Sequence, residues 1–261
     1  MKKFLSRNDV ILLSIAILAI IPCDLFAAAA DIKNSAFMEF SLKQVENPDE
    51  FVPALKILSL LTILSIAPAI LLMMTSFTRI LIVLGFVRHA LGTQTMPPNQ
   101  VIVGLSLFLT FFTMSPMLGK IEEKAITPYI EKQIDQKEAL TNILEPIRSF
   151  MMKETRQEDL SLFLNISNSP KPETEADIPF SVLMPSFMIS ELKTAFQIGF
   201  LIYIPFLIID MVISSVLMAM GMMMLPPTVV SLPFKLILFI LVDGWTLIIS
   251  SLVKSFQIFG G

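Results

Sequence analysis

The chain has 261 residues, of which 54% are hydrophobic and 16% charged, and its formal net charge is −3. That balance excludes an ordinary soluble domain and points to a protein built in or on a membrane. It also argues against nucleic-acid binding, because no basic stripe or aromatic-basic platform interrupts the apolar sequence.

The N-terminus reads as an export signal. Lys2, Lys3 and Arg7 form a basic start, Val10 to Ile21 an apolar core, and Ala27 to Ala30 a run of small residues that places cleavage after Ala30. A twelve-residue core is too short to span ~30 Å of hydrocarbon, which needs about 20 residues. Residues 1–30 are therefore expected as a cleaved signal peptide. Cys23, the one cysteine, precedes the cut. The mature chain then has no thiol for a disulfide, for catalysis or for a metal site.

Residues 31–118 form the next segment. A polar lead-in to residue 52 precedes an almost continuous apolar run from Pro53 to Val87, divided by Pro68 and by the polar group Thr75, Ser76, Thr78 and Arg79. Leu91-Gly92 reads as a helix stop and Pro97-Pro98 as a new start, with Val101–Leu118 as the return arm of a helical hairpin. Arg79, Arg88 and His89 are expected to cluster at the turn on the cytoplasmic side, following the positive-inside bias.

Residues 119–180 hold 20 of the 41 charged side chains, whereas residues 181–261 hold six. This insert is expected to be soluble and helical, on the exported side. Thr127-Pro128 suggests a helix start, and Leu140, Ile143, Leu144, Ile147, Phe150 and Met151 recur at helical spacing.

Residues 181–261 return to apolar sequence, read as hairpins broken near Asp210 and again at Gly221, Pro226, Pro227 and Pro233. Six methionines fall in the fourteen residues from Met211 to Met224. Met222, Met223 and Met224 are consecutive and cannot share one face of a helix; between a glycine and two prolines they favour a loop. Methionine is unbranched and polarizable, so a ring of such loops could seal a pore and still deform. A charge at the bilayer centre costs about 2.5–3.5 kcal/mol even on the lenient scale, so Glu191, Asp210, Lys235 and Asp243 must face protein or water. Glu191 and Lys235 are expected as an ion pair, within or between copies of the chain. Asp210 and Asp243 are expected either as helix caps and backbone partners or, in a proton-coupled transporter, as a proton relay. With one histidine in a turn and no nucleotide, zinc or Gly-x-Ser-x-Gly motif, an enzyme is not expected, nor a cofactor or metal.

Three stretches carry a resemblance: TSFTRILIVLGFVRHALGTQTMPPNQVIVGLSLFLTFF (75–112), PSFMISELKTAFQIGF (185–200) and PFKLILFILVDGW (233–245). They are similar to the FliP family of flagellar type III secretion export-gate components. A shorter subunit of virulence secretion systems is also similar, but the leader and the Phe77–Arg79 sequence favour the flagellar branch. The resemblance implies an all-α fold of membrane-associated hairpins with a small helical periplasmic insert, in the inner membrane at the flagellar basal body. It further implies a pentamer joined by two smaller membrane subunits, with the methionine loop in a central pore through which unfolded flagellar proteins pass. Energy would then come from a separate ATPase and the proton-motive force.

Overall fold

The computed structural model describes residues 48–93, 95–167, 172, 174, 177–222 and 224–256. The leader, its cleavage site at Ala30 and the lead-in to residue 47 lie outside the described residues. The chain divides into two units, residues 1–65 and 66–261. Of the first, the structure describes the opening of helix α1 (Pro48–Met73), where Leu55, Ile57, Leu60 and Ile63 are all exposed. A helix apolar on every side is suited to lipid or to a protein surface, not to water.

The second unit contains the remaining helices, and no strand occurs among the described residues. Helix α2 (Phe77–Ala90) is its centre, with Ile80, Val83, Val87 and Ala90 wholly buried. At 14 residues it is roughly 21 Å long, too short to cross a membrane and placed instead as a core rod. The polar break before it lies at residues 74–76, while Pro68 stays inside α1. Helix α2 stops where expected: Leu91 caps it and Gly92 takes φ +76, a left-handed geometry that glycine adopts without steric cost.

Helix α3 (Asn99–Ile121) starts after Pro98 and continues through a π-helical turn at Glu122–Ile126 into the short α4 (Thr127–Ile130). The expected new start at Thr127 is thus a widened turn within one continuous helix. Pro128 has no N–H to give the Lys124 carbonyl, and the Asn142 side-chain amide donates to that carbonyl instead at 3.1 Å. Helix α5 (Gln136–Glu154) opens with Asp135 accepting from the Glu138 N–H at 2.7 Å, a standard N-cap. Helix α6 (Gln157–Ile166) follows.

Helix α7 (Phe180–Ala219) has 40 residues and contains both Pro185 and Pro205. The two runs expected on either side of Asp210 are one helix. A single lost backbone hydrogen bond is tolerated where neighbours pack the kink point, and Phe206 beside Pro205 is buried against Val87, Ala90 and Leu91. At roughly 60 Å, α7 is about twice the thickness of a bilayer core. It runs parallel to α2: Glu191 meets Arg79, Gly199 meets Phe86, and Phe206 meets Val87. A Cβ on Gly199 would sit 2.5 Å from the Phe86 ring, so the bare backbone permits this close approach.

Helix α8 (Pro227–Leu241) passes through Pro233, and helix α9 (Gly244–Lys254) leaves it at 65°. The sequence suggests one run over residues 234–253; the structure breaks it at Asp243. That residue takes φ +50, which aspartate tolerates better than most side chains. Gly244 follows because the Phe239 ring lies 2.4 Å from where its Cβ would stand. Trp245 packs edge-on against the same ring, with centroids 5.3 Å apart. Helices Leu55–Met73, Asn99–Ile130 and Phe180–Ala219 are long and apolar enough to cross a membrane, and α8 with α9 would make a fourth crossing as a bent pair.

Candidate functional site

The methionine segment begins where α7 ends. Met220 is the C-cap, Gly221 turns at φ +75, its N–H donates to the Met218 carbonyl at 3.0 Å, and the Met222 N–H donates to the Leu217 carbonyl at 2.9 Å. This is a Schellman stop, and it requires a residue that accepts the left-handed conformation, here glycine. Pro226 then caps α8 from outside, and Pro227 supplies its first turn, where the missing N–H costs nothing. A short loop is therefore pinned at both ends by sequence. Met222 is 39% exposed and Met224 98%, while Met223 lies outside the described residues. Met211, Met218 and Met220 are exposed as well. In one copy of the chain these thioethers have no core to fill.

The charged residues sort into three clusters, and within one chain Glu191 and Lys235 pair with other residues and not with each other. Glu191, 0% exposed, is held by Arg79. The Arg79 Nε donates to Glu191 Oε2 at 2.9 Å, and Nη2 forks to Glu191 Oε1 and to Glu154 Oε2, the latter at 2.8 Å. Nη1 donates to the Ser255 carbonyl and hydroxyl, each at 3.2 Å, and the guanidinium lies 4.0 Å from the Phe256 ring centroid. One side chain thereby joins α2, α5, α7 and the end of α9. Lys235, 3% exposed, donates instead to Asp210 Oδ2 at 2.6 Å, and Ser231 donates to Asp210 Oδ1 at 2.5 Å. The reason is length. Asp210 lies nineteen positions after Glu191 on α7, roughly 28 Å, so within one chain Lys235 cannot serve both.

Arg79 is also not part of a basic turn. It sits at the start of α2, and Arg88 and His89 at its last turn. The sequence does carry a signal for its role: Arg79 is the only charge between Ile57 and Val87, and so solitary a charge in apolar sequence demands a buried partner. Glu154 carries no comparable signal, since it lies among many charges of the insert.

The third cluster docks the insert. Asp159 accepts from the Ser190 hydroxyl at 2.7 Å and from the Lys193 ammonium. The Arg156 N–H donates to Ser190 Oγ at 3.0 Å, and its guanidinium donates to Thr194 at 3.0 Å and Gln197 at 2.6 Å. Burial alone would raise the Asp159 carboxyl. The hydrogen bonds from Lys193 and Ser190, with the charges of Lys193 and Arg156, outweigh it and hold the group below the usual aspartate value. The polar face Ser186, Ser190, Lys193, Thr194 and Gln197 recurs at helical spacing, and in sequence it is the visible half of this contact.

Asp210 and Asp243 have different surroundings. Asp210 is committed to Lys235 and Ser231. Asp243 is exposed at the α8–α9 bend, and its side chain makes no capping hydrogen bond. No group of three or more potential metal ligands occurs among the described residues.

The fold and its charges define an all-α protein with helices of membrane-spanning length and a polar helical insert tied by ion pairs to α2 and α7. The sequence profile of the FliP family matches residues 60–252. The chain is 59% identical to the flagellar biosynthetic protein FliP of Bacillus subtilis over 210 residues, covering 80% of this chain and 95% of that one. It is 57% identical to that of Pectobacterium carotovorum over 76% of this chain and 77% of the relative. The Caulobacter vibrioides protein of the same name is 47% identical over 93% and 90%. The chain belongs to the FliP family.

Proposed function

We propose that the chain is a pore-forming subunit of the flagellar type III protein export gate in the bacterial inner membrane. The observation that carries this is the α7–α8 break, a short loop fixed by a glycine stop and a proline start that leaves Met222 and Met224 uncovered. Several copies around an axis would bring these side chains together as a deformable apolar seal, to which Met223, between them in sequence, would belong. Such a constriction bars ions by dewetting, and thioether contacts are weak enough for an unfolded chain to displace. The commitment of Asp210 to Lys235 supports a structural role for that carboxylate over a proton relay.

The insert, residues 119–180, is assigned to the periplasmic side. Its end of the molecule is also where α2 begins, because Glu154 of α5 bonds Arg79. The partners are further copies of the chain, as a pentamer, two smaller membrane subunits and the exported flagellar proteins. Measuring the mass of the detergent-purified complex tests this. A multiple of the chain with two smaller membrane proteins attached is expected; a stable monomer under the same conditions contradicts the proposal.

A further inference from the structure

Between α2, α3 and α9 lies an apolar slot of about 190 Å³, lined by Leu84, Pro97, Val101, Ile102, Leu105 and Trp245 among others. Its lining is apolar, which suits a hydrocarbon chain better than water. The slot starts at the turn before α3 and follows Val101 and Leu105 for one helical turn into the apolar part of the fold. Arg88 lies one turn beyond Leu84 on α2 and reaches Pro97, a residue of the slot's lining. Its Nη1 donates to Asn99 Oδ1 at 2.5 Å and to the Pro97 carbonyl at 3.4 Å, both neutral acceptors. Its Nε is buried with no hydrogen-bond partner. Arg79, Lys193 and Lys235 each have a carboxylate; Arg88 has none among the described residues.

A partly buried, unneutralised guanidinium above a hydrocarbon-sized slot matches one ligand chemistry, an anion carried on an acyl chain. Guanidinium groups fork onto phosphate oxygens, and basic pockets between apolar helices favour anionic headgroups. Trp245, 39% exposed at the slot's wall, is the residue type enriched at the headgroup level. We propose that this slot binds one anionic phospholipid, with its phosphate on Arg88 and part of an acyl chain along Val101, Leu105 and Trp245. The site rests on the geometry alone and does not depend on the export-gate reading.

The test uses the full-length protein purified in detergent as the assembly it forms. Phosphatidylglycerol and phosphatidylcholine with identical acyl chains are added separately, and retained lipid is counted by native mass spectrometry. Retention of phosphatidylglycerol over phosphatidylcholine is expected. Arg88→Gln should weaken it roughly tenfold, the loss of one charge-assisted phosphate contact, and Arg88→Lys should keep most of it. Val101→Trp, which fills the slot and leaves Arg88 in place, should also lose it. Glycerol phosphate, a headgroup without chains, should not compete. Equal retention of the two lipids, or undiminished retention by Val101→Trp, overturns the proposal. So does a photo-crosslinker at Val101 that captures a second copy of the chain in place of lipid. If Arg88→Gln fails to fold, Val101→Trp and the comparison of the two lipids decide the matter.

Discussion

Arg79 and Glu191, 112 positions apart in sequence, form a forked ion pair in which both side chains are almost completely buried. Because the same guanidinium holds Glu154 and the last turn after α9, its removal strands the fully buried Glu191 carboxylate and takes a partner from Glu154. Stranding a buried charge costs about 3–5 kcal/mol. Arg79→Ala is therefore expected to lower the thermal midpoint sharply, or to prevent accumulation of folded protein, and added salt should not reproduce the effect. Arg79→Lys keeps the charge and loses the fork, so its midpoint should fall between the two. A midpoint for Arg79→Ala equal to wild type would show that the cluster is not structural.

The second ion pair gives a test of partner identity. Lys235 and Asp210 should couple in a double-mutant cycle by the 0.5–3 kcal/mol typical of groups in contact. The exchange Asp210→Lys with Lys235→Asp should recover part of the assembly lost in either single change. The exchange Glu191→Lys with Lys235→Glu should recover none, since Glu191 lies about 28 Å along α7 from the acid that Lys235 holds. Additive single mutants at 210 and 235 would contradict the pairing.

Docking of α6 on α7 is expected to depend on pH in one direction. The Asp159 carboxyl has a lowered pKa in the folded chain, so its contribution is complete above the ordinary aspartate value of about 3.9. It is lost as pH falls through the lowered folded-state value. Lys193 is half exposed, and solvent screening keeps the effect modest. Hydrogen exchange of α6 amides should accelerate at the acid end in wild type, relative to neighbouring α5. Asp159→Asn should show faster exchange already at neutral pH, with no further acid limb. An acid limb retained in Asp159→Asn would assign it to another group.

Much of this architecture is legible in sequence because it rests on local chemistry. The stop at Gly92, the stop at Gly221 and the start at Pro227 are each set by the conformational limits of one residue. The long helix α7 is not legible: Pro205 and Asp210 read as a break, but Phe206 packs on α2 and Lys235 neutralises the acid. Those are tertiary compensations, invisible to a window of residues. The same holds for the ion pairs. Sequence shows that Glu191, Asp210 and Lys235 need partners, while the choice among partners depends on how far each lies along α7. The break at Asp243 depends on a ring, Phe239, folding back on Gly244.

The sidedness of the insert can be read with cysteines, since the mature chain after Ala30 would have none of its own. A cysteine at Ser167, in the insert, should react with a membrane-impermeant thiol reagent applied from the periplasmic face. A cysteine at Thr93, beyond the far end of α2, should not. The reverse pattern would invert the topology.

The most direct measurement concerns the methionine loop. Met222, Met223 and Met224 are replaced together with alanine, and ion conductance is recorded across membranes holding the intact complex, with wild type beside it. Alanine keeps the helix ends and removes the long thioethers, so the complex should still assemble with its usual mass. The account predicts a leak to small ions that wild type does not show. Conductance unchanged from wild type, in a complex of normal composition, would contradict it and return these methionines to a packing role.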